Sequence, residues 1–456
     1  MITRRHLLAA PALLRARGRQ PDIVIVLTDD LGYGDLSCFG HPNIKTPNLD
    51  KFASQGIRFT DCYAAAPVCS PSRCGLLTGR SPARLGVYDW IPEKSPMHLP
   101  RGEQTFAKLL QQSGYATAHI GKWHCNGLFN HPAQPQPHDH GFDHWVSTQN
   151  NSLPSHQNPV NFVRNGQPAG PLTGFSSQLI ADESIAWLRS VPASKPLCLF
   201  ACFHSPHEKV ATSDAFTAPY GQASPRERAE YFGNVAEMDH HFGRILTALE
   251  AQGRGDALVF FTSDNGPETL LRYPAANRSY GSPGPLRGRK LSLYEGGIRV
   301  PGLLRWPGRA KAGLTSAEPV SGVDILPTLL AAAGAPPPAK PLDGASLLPA
   351  LRGKPVRRRV PLHWHYLNAM YEPKAALRDG PWKLVGMWPE GAPKLPVSGY
   401  RPEFLNIARQ QTLSRFALYH LPTDLAEQKD LATQQPKHFA KLRDRLTALH
   451  REVLAP

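Results

Sequence analysis

Ile23-Val24-Ile25-Val26-Leu27 is an unbroken apolar, β-branched run that stops at Thr28-Asp29-Asp30. Such a run predicts a strand buried on both faces, as in a parallel sheet covered by helices on either side. The pattern returns three times. Tyr115 to Ile120 runs into Gly121-Lys122-Trp123-His124, Leu197 to Phe203 delivers His204-Ser205-Pro206-His207, and Ala257 to Phe261 ends at Thr262-Ser263-Asp264-Asn265-Gly266. Between the strands lie stretches of helical period: Pro47 to Gln55, Glu103 to Ser113, Ser177 to Arg189 and Glu227 to Gln252. Short apolar strands alternating with helices predict a doubly wound α/β sheet. In such sheets ligands bind beyond the carboxyl ends of the strands, so Asp29, Asp30, Lys122, His124, His204, Asp264 and Asn265 are expected at one site.

Residues 125–175 break the pattern, being rich in Pro, His, Asn and Gln without a clear period. They predict a long excursion over the sheet edge, of the kind that either shapes a substrate pocket or is merely solvated. Its His131, His138, His140, His144, Trp145, Asn150, Asn151, His156 and Gln157 offer the aromatic faces and hydrogen-bonding tips that sugars require. Lys290 follows a loop rich in Gly, Pro and Arg. After a predicted helix from Val323 to Ala333, composition changes at Ala335-Pro336-Pro337-Pro338 and again at Arg357-Arg358-Arg359. Short runs at Val360 to Trp364, Ala375 to Arg378, Trp382 to Val385 and Phe416 to His420, with a terminal helix from Pro436 to Val453, predict a small antiparallel sheet with one helix. The expected organisation is a signal or basic tail at 1–20, a large α/β catalytic domain at 21–355 and a small α+β domain at 356–456.

Charge narrows the partners. Lys and Arg number 51 against 36 Asp and Glu, a formal net charge of +15, which favours an anionic partner. No basic-aromatic repeat or zinc-finger spacing points to nucleic acid, and no later apolar run reaches membrane-spanning length. Seven cysteines, an odd number without a C-x-x-C pair, are too sparse for a disulfide framework and read mostly as small buried residues. At the start, Thr3-Arg4-Arg5-His6-Leu7-Leu8 looks like a degenerate twin-arginine signal, which implies export to the periplasm or beyond.

Asp29, Asp30, Asp264 and Asn265 offer only oxygen ligands, which suits a hard cation, Ca²⁺ or Mg²⁺, rather than Zn²⁺. In Cys69-Ser70-Pro71-Ser72-Arg73, Ser70 reads as an N-cap and Pro71 as the first helical residue. Free backbone N–H groups and the positive end of a helix dipole should then gather beside Cys69 and hold an anionic group. Arg73, Lys122, His124, His204 and Lys290 add the positive and proton-donating groups needed to hold and cleave an anionic ester.

The stretch Cys69 to Arg73, continued by Leu76-Leu77-Thr78-Gly79-Arg80, resembles the signature of type I sulfatases, in which the cysteine of C-x-P-S-R is oxidised to formylglycine. The resemblance extends over Leu27 to Asp35, Thr46 to Asp50, Gly121 to His124, Ser263 to Gly266, Tyr294 to Gly297 and Leu418 to Leu421, and is nearest to the arylsulfatase and N-acetylgalactosamine-6-sulfatase type, with the bacterial cysteine form of the signature. It implies an alkaline-phosphatase-like fold and a sulfuric ester hydrolase acting on a sulfated carbohydrate. Asp29, Asp30, Asp264, Asn265 and formylglycine-69 are then the metal ligands, Arg73 supports the modified residue, and Lys122, His124, His204 and Lys290 surround the sulfate. In that scheme His204 or Lys290 assists the departing alcohol while His124 takes a proton from the second hydroxyl of the hydrated aldehyde. A formylglycine-generating enzyme is implied as a partner. Cys125 and Asn126 depart from the Leu-Gly that often follows Lys-Trp-His in the family. Two other readings stay open: a formylglycine-type phosphodiesterase or phosphonate hydrolase, and a non-catalytic sulfated-glycan binding protein with unmodified Cys69.

Export by the twin-arginine route predicts a mature N-terminus between Leu14 and Pro21, read by N-terminal sequencing. Joint Arg4→Lys and Arg5→Lys substitution should strand the protein in the cytoplasm, and cytoplasmic wild-type enzyme still beginning at Met1 or Ile2 would contradict this route.

Overall fold

The computed structural model describes residues 20–455 apart from Ser398 and Tyr400, so the expected export signal lies outside the described residues. Ten strands form the main sheet, in the spatial order β11 (Leu314–Ser316), β2 (Ile57–Phe59), β10 (Gly302–Arg305), β9 (Leu258–Ser263), β1 (Ile23–Asp29), β8 (Leu197–Pro206), β4 (Ala116–Lys122), β5 (His144–Thr148), β6 (Val163–Arg164) and β7 (Gln167–Pro168). The run from β9 to β5 is parallel throughout. Antiparallel strands flank it, β10 on one side and β6 on the other. A two-strand ladder of β3 (Cys62–Tyr63) and β12 (Val320–Ser321) lies apart from it.

Alternation along β1 divides the interior into two layers. Ile23, Ile25 and Leu27 pack with Leu77, Phe106, Leu110 and Leu326 from the helices Cys69–Thr78, Phe106–Gln112 and Ile325–Ala333. Val24 and Val26 turn the other way, towards Ile180, Leu188, Phe242 and Ile245 of the helices Ser176–Ser190 and Arg226–Ala251. With both faces covered, every residue of β1 is buried, which is why its sequence carries no polar alternation.

Several expectations need correction. The 125–175 stretch is not simply a loop: His144–Thr148 is β5, paired in parallel with β4, and β6 and β7 extend the sheet beyond it. Its short run has polar residues at both ends, and this hid the strand. The helix expected to start at Pro71 starts at Cys69, with Val68 as N-cap. Ser70 does not cap it; the Ser70 hydroxyl accepts from the Ile91 N–H at 3.0 Å instead. β8 runs on past Phe203 to Pro206.

The C-terminal sheet is β13 (Leu362–His365), β14 (Pro373–Asp379), β15 (Trp382–Met387) and β16 (Arg415–His420), antiparallel throughout. One face packs under the helix Pro436–Leu454 and a second helix, Pro402–Gln410, that the sequence reading missed. The other face presents Trp364, Ala376, Val385 and Tyr419 to Val68, Leu291, Leu293 and Tyr294. The small sheet thus backs the residues next to Cys69 and Lys290.

A buried charge network crosses this contact. Lys383 Nζ lies 2.9 Å from Glu295 Oε1 and 2.9 Å from Glu427 Oε1. Tyr63 donates to Glu295 Oε2 at 2.6 Å, and Arg299 adds a second cation at 3.2 Å. Burial pushes the Glu295 carboxyl up, but Lys383, Arg299 and Arg378 outweigh it and bring it to about 2. Burial dominates at Glu427, which stands at about 7. Among the described residues, removing the shared cation would leave Glu427 without its ion pair and Glu295 with Arg299 alone, so Lys383→Met should cost about 3–5 kcal/mol of stability. Thermal unfolding checks this: the Lys383→Met, Glu427→Gln double variant should recover part of the loss, and a Lys383→Met melting temperature equal to wild type would refute the network's role.

Candidate active site

Three parallel strands, β9, β1 and β4, end on the same side of the sheet, with β8 between the last two, and their ends carry the charged residues. Asp29 closes β1, Lys122 closes β4, and Asp264 follows β9 with its N–H on the Thr28 carbonyl at 3.1 Å. Gly121 makes the approach of β4 possible. Its φ is +108°, and a Cβ there would meet the Cys202 carbonyl oxygen at 1.9 Å. Asp30 (φ 63°), His124 (φ 54°) and Leu291 (φ 67°) all hold left-handed backbone at or beside the site. For side-chain-bearing residues this costs of order ~1 kcal/mol or more each and persists only where the surroundings enforce it.

Cys69 lies at the first turn of its helix, beside these ends. Its Sγ is 3.5 Å from Asp29 Oδ1 and 3.6 Å from Lys122 Nζ. Lys122 Nζ also pairs with Asp29 Oδ2 at 2.6 Å. One turn along the helix, Arg73 grips Asp264 Oδ2 through Nε at 2.9 Å and through its NH2 nitrogen at 2.7 Å, and donates to the Lys122 carbonyl at 2.8 Å. Asp30 accepts from Asn265 Nδ2 at 2.7 Å and pairs with Lys290 Nζ at 2.8 Å. Lys290, which alone would pass for a surface lysine, is buried, and Glu268 stands 3.7 Å from it.

These groups set one another's protonation. Burial would push Asp29 up, but Lys122, His207 and Arg73 hold it well below the carboxylate range. Asp264 rises to about 6, through burial first and the charge of Asp29 second. The Cys69 thiol is driven well up by burial despite Lys122 and Lys290, so it stays protonated. Burial, then Lys122 and Arg73, push His124 well down and keep it neutral. Its Nε2 faces the Ile91 carbonyl at 3.0 Å and must carry the proton, while the buried Nδ1 has no hydrogen-bond partner. That nitrogen is unprotonated and free to accept a hydrogen bond.

A cavity of about 510 Å³ opens over this cluster, lined by Cys69, Trp90, His124, Asn150, Asn151, His207, Glu208, Arg272, Tyr273, Lys290 and others. His204 is not among its lining residues. Its Nε2 meets Thr148 Oγ1 at 2.8 Å and its ring packs against Phe162 and His156. His207 occupies the cavity wall instead, with Nε2 3.6 Å from Asp30 Oδ2. One ligand atom each of Asp29, Asp30, Cys69 and His207 lies within 4.8 Å of the others. His207 was in plain view in the sequence, four positions beyond the expected strand end at Phe203. Glu208, Tyr273 and the Glu268–Arg272 pair (2.8 Å) had no sequence signal, because they lie in stretches without a period.

Most of the expected sugar-contacting residues serve the fold. Trp145 packs on Phe129 and His138, His140 on Trp123, and His144 bonds Glu183 at 3.0 Å. Of that set, Asn150 and Asn151 reach the cavity, each with a buried, unpartnered amide oxygen.

Comparison with known proteins places this geometry. The family model described as Sulfatase matches residues 21–335, and the one described as N-sulphoglucosamine sulphohydrolase, C-terminal, matches residues 289–392. Human arylsulfatase A is 38% identical over 379 residues, covering 76% of this chain and 71% of that protein. The N-acetylgalactosamine-6-sulfatase of Sus scrofa is 31% identical over 493 residues, covering 100% and 91%. The crystal structure of Ps i-CgsB in complex with k-i-k-neocarrahexaose superposes with a TM-score of 0.80 at 26% identity, covering 95% of this chain and 93% of that one.

Proposed function

The chain belongs to the sulfatase family and is a sulfuric ester hydrolase, and on that premise we propose that it frees inorganic sulfate from a sulfated carbohydrate with formylglycine, made from Cys69, as nucleophile. The observation that carries this reading is the setting of Cys69. A thiol that burial keeps protonated is a poor nucleophile, yet it faces the cavity between Asp29 and the ammonium of Lys122. Hydrated formylglycine would supply two hydroxyls on one carbon, one to attack sulfur and the other to drive sulfate off.

The residues present also fit a hard divalent cation, Ca²⁺ or alternatively Mg²⁺. Asp29, Asp30, Asp264 and Asn265 would hold it together with residue 69, and the buried amide oxygen of Asn265 has no hydrogen-bond partner among the described residues. Such an ion supplies Lewis-acid charge to a bound oxygen. Around that centre the chain's own groups divide the work. Lys122 and Lys290 face the ester oxygens, the helix starting at Cys69 turns its positive end to them, and Arg73 fixes Asp264 against Asp29. His124 Nδ1 takes the proton released at residue 69. His207, in the place expected for His204, gives a proton to the departing alcohol.

The ring of Trp90 and the amide oxygens of Asn150 and Asn151 give the cavity one aromatic face and two hydrogen-bond acceptors, the equipment for a sugar. The saccharide bound by Ps i-CgsB and the amino sugar named for the Sus scrofa relative support a carbohydrate ester. Maturation calls for a formylglycine-generating enzyme that reads Cys69 to Arg73 before the helix buries them, and export follows. No helix among the described residues is long and apolar enough to cross a membrane.

Asp264→Ala should lose bound metal and activity together, as read by elemental analysis and sulfate release; stoichiometric zinc, or full activity in excess chelator, would contradict the oxygen-ligand site. Sulfate release across defined sulfated mono-, oligo- and polysaccharides, beside an aryl sulfate and a phosphodiester, tests the substrate. Release from at least one glycan, salt-sensitive for a polyanion, is expected. Faster phosphodiester cleavage, or release from the aryl sulfate alone, would defeat the carbohydrate reading.

A further inference from the structure

Glu208 is a buried carboxylate in the cavity wall that the mechanism above leaves without a task. Its side chain stands against the histidine that precedes it. The His207 Nδ1–H bonds the Glu208 carbonyl oxygen at 2.9 Å, and Glu208 Oε2 lies 2.8 Å from the same nitrogen. The carboxylate is itself held. Tyr273 lines the same cavity wall, and Asn151 Nδ2 approaches Oε1 at 3.5 Å. Nδ1 thus sits between the carbonyl oxygen and the carboxylate of Glu208, while Nε2 lies 3.6 Å from Asp30 Oδ2, beyond hydrogen-bond distance.

We propose that Glu208 is a positioning residue for leaving-group protonation: with Tyr273 behind it, its carboxylate fixes the His207 ring so that Nε2–H faces the ester oxygen that departs. The proposal rests on the assignment of His207 as the proton donor. In the step concerned, the bond between sulfur and the alcohol oxygen breaks with its electron pair passing to that oxygen. The oxygen takes the proton from His207 Nε2, whose bonding pair stays on the nitrogen, and the alcohol leaves neutral. A ring free to rotate about its side-chain bonds would deliver that proton only in a fraction of its orientations, whereas a ring pinned at Nδ1 delivers it in the one that counts. A carboxylate behind a functional histidine performs the same service in metal and triad sites. The burial of Glu208 is otherwise costly, since a buried carboxylate needs a partner of this kind to be kept.

The need for protonation grows as the alcohol becomes a poorer leaving group, and this separates positioning from mere structural support. The test compares matured, metal-loaded wild type, Glu208→Gln, His207→Gln and the double variant on 4-nitrophenyl sulfate and on 4-methylphenyl sulfate, whose phenol leaves less readily. Glu208→Gln should lower kcat for 4-methylphenyl sulfate about 10–100-fold and for 4-nitrophenyl sulfate by less than about 5-fold. KM should hardly change. The double variant should be no slower than His207→Gln alone, because Glu208 acts through His207. Equal losses on both esters, a rise in KM with kcat kept, or additive losses in the double variant would overturn the role of Glu208. If His207→Gln itself shows no dependence on the leaving group, the assignment of His207 fails; if it does and Glu208→Gln does not, only the positioning role falls. Melting temperatures of all four proteins separate either result from misfolding.

Discussion

Three buried aspartates at the ends of β1 and β9 are the constraint to which the rest of the molecule answers. Asp29, Asp30 and Asp264 crowd together with almost no solvent, and like charges at such range in a poorly polarisable interior repel by several kcal/mol. They are tolerated because three cations from three separate parts of the chain meet them: Arg73 from the Cys69 helix, Lys122 from β4 and Lys290 from the loop before Tyr294. The balance is nearly one to one. A divalent ion would shift it, drawing on the same carboxylates that now engage lysine.

Bringing those cations in demands backbone approaches that most residues forbid. Gly266, just past Asp264 and Asn265, packs so closely on the short helix Glu295–Ile298 that a Cβ would lie 2.0 Å from the Gly296 carbonyl oxygen. That helix packs in turn on the loop carrying Lys290, through the Gly296 N–H on the Arg287 carbonyl at 2.7 Å. The C-terminal sheet presses on the same unit through Leu291, Leu293 and Tyr294, with Lys383 tying Glu295 to Glu427 beneath it. A small sheet far along the chain therefore helps to hold Lys290 against Asp30 in the cavity that Cys69 also lines. The Ser263-to-Gly266 and Tyr294-to-Gly297 motifs are two halves of this contact.

Much of this was legible in the order of residues, for a physical reason. An apolar run buried on both faces must end where polarity begins, so Asp29, Asp30, Lys122, Asp264 and Asn265 announced themselves as strand ends. The same rule misled at β8. Apolarity stops at Phe203, but the strand carries His204 and Ser205 three residues further because neighbours satisfy their polar atoms, Thr148 for the one and Ser177 at 2.8 Å for the other. His207 is the residue that emerges. β5 escaped notice because five residues with polar ends carry too little periodicity, and the helix Pro402–Gln410 because it interrupts a run of short strands. Glu208, Tyr273 and the Glu268–Arg272 pair belong to loops, where contact follows from tertiary placement alone.

The central claim is that the protonated, buried sulfur of Cys69 is a precursor and that the working residue is an aldehyde. Intact-mass analysis of the proteolytic peptide spanning Cys69, taken from fully active enzyme made in a host able to mature it, tests this directly. The account predicts formylglycine or its hydrate at position 69; an unmodified thiol in protein of full activity would contradict it.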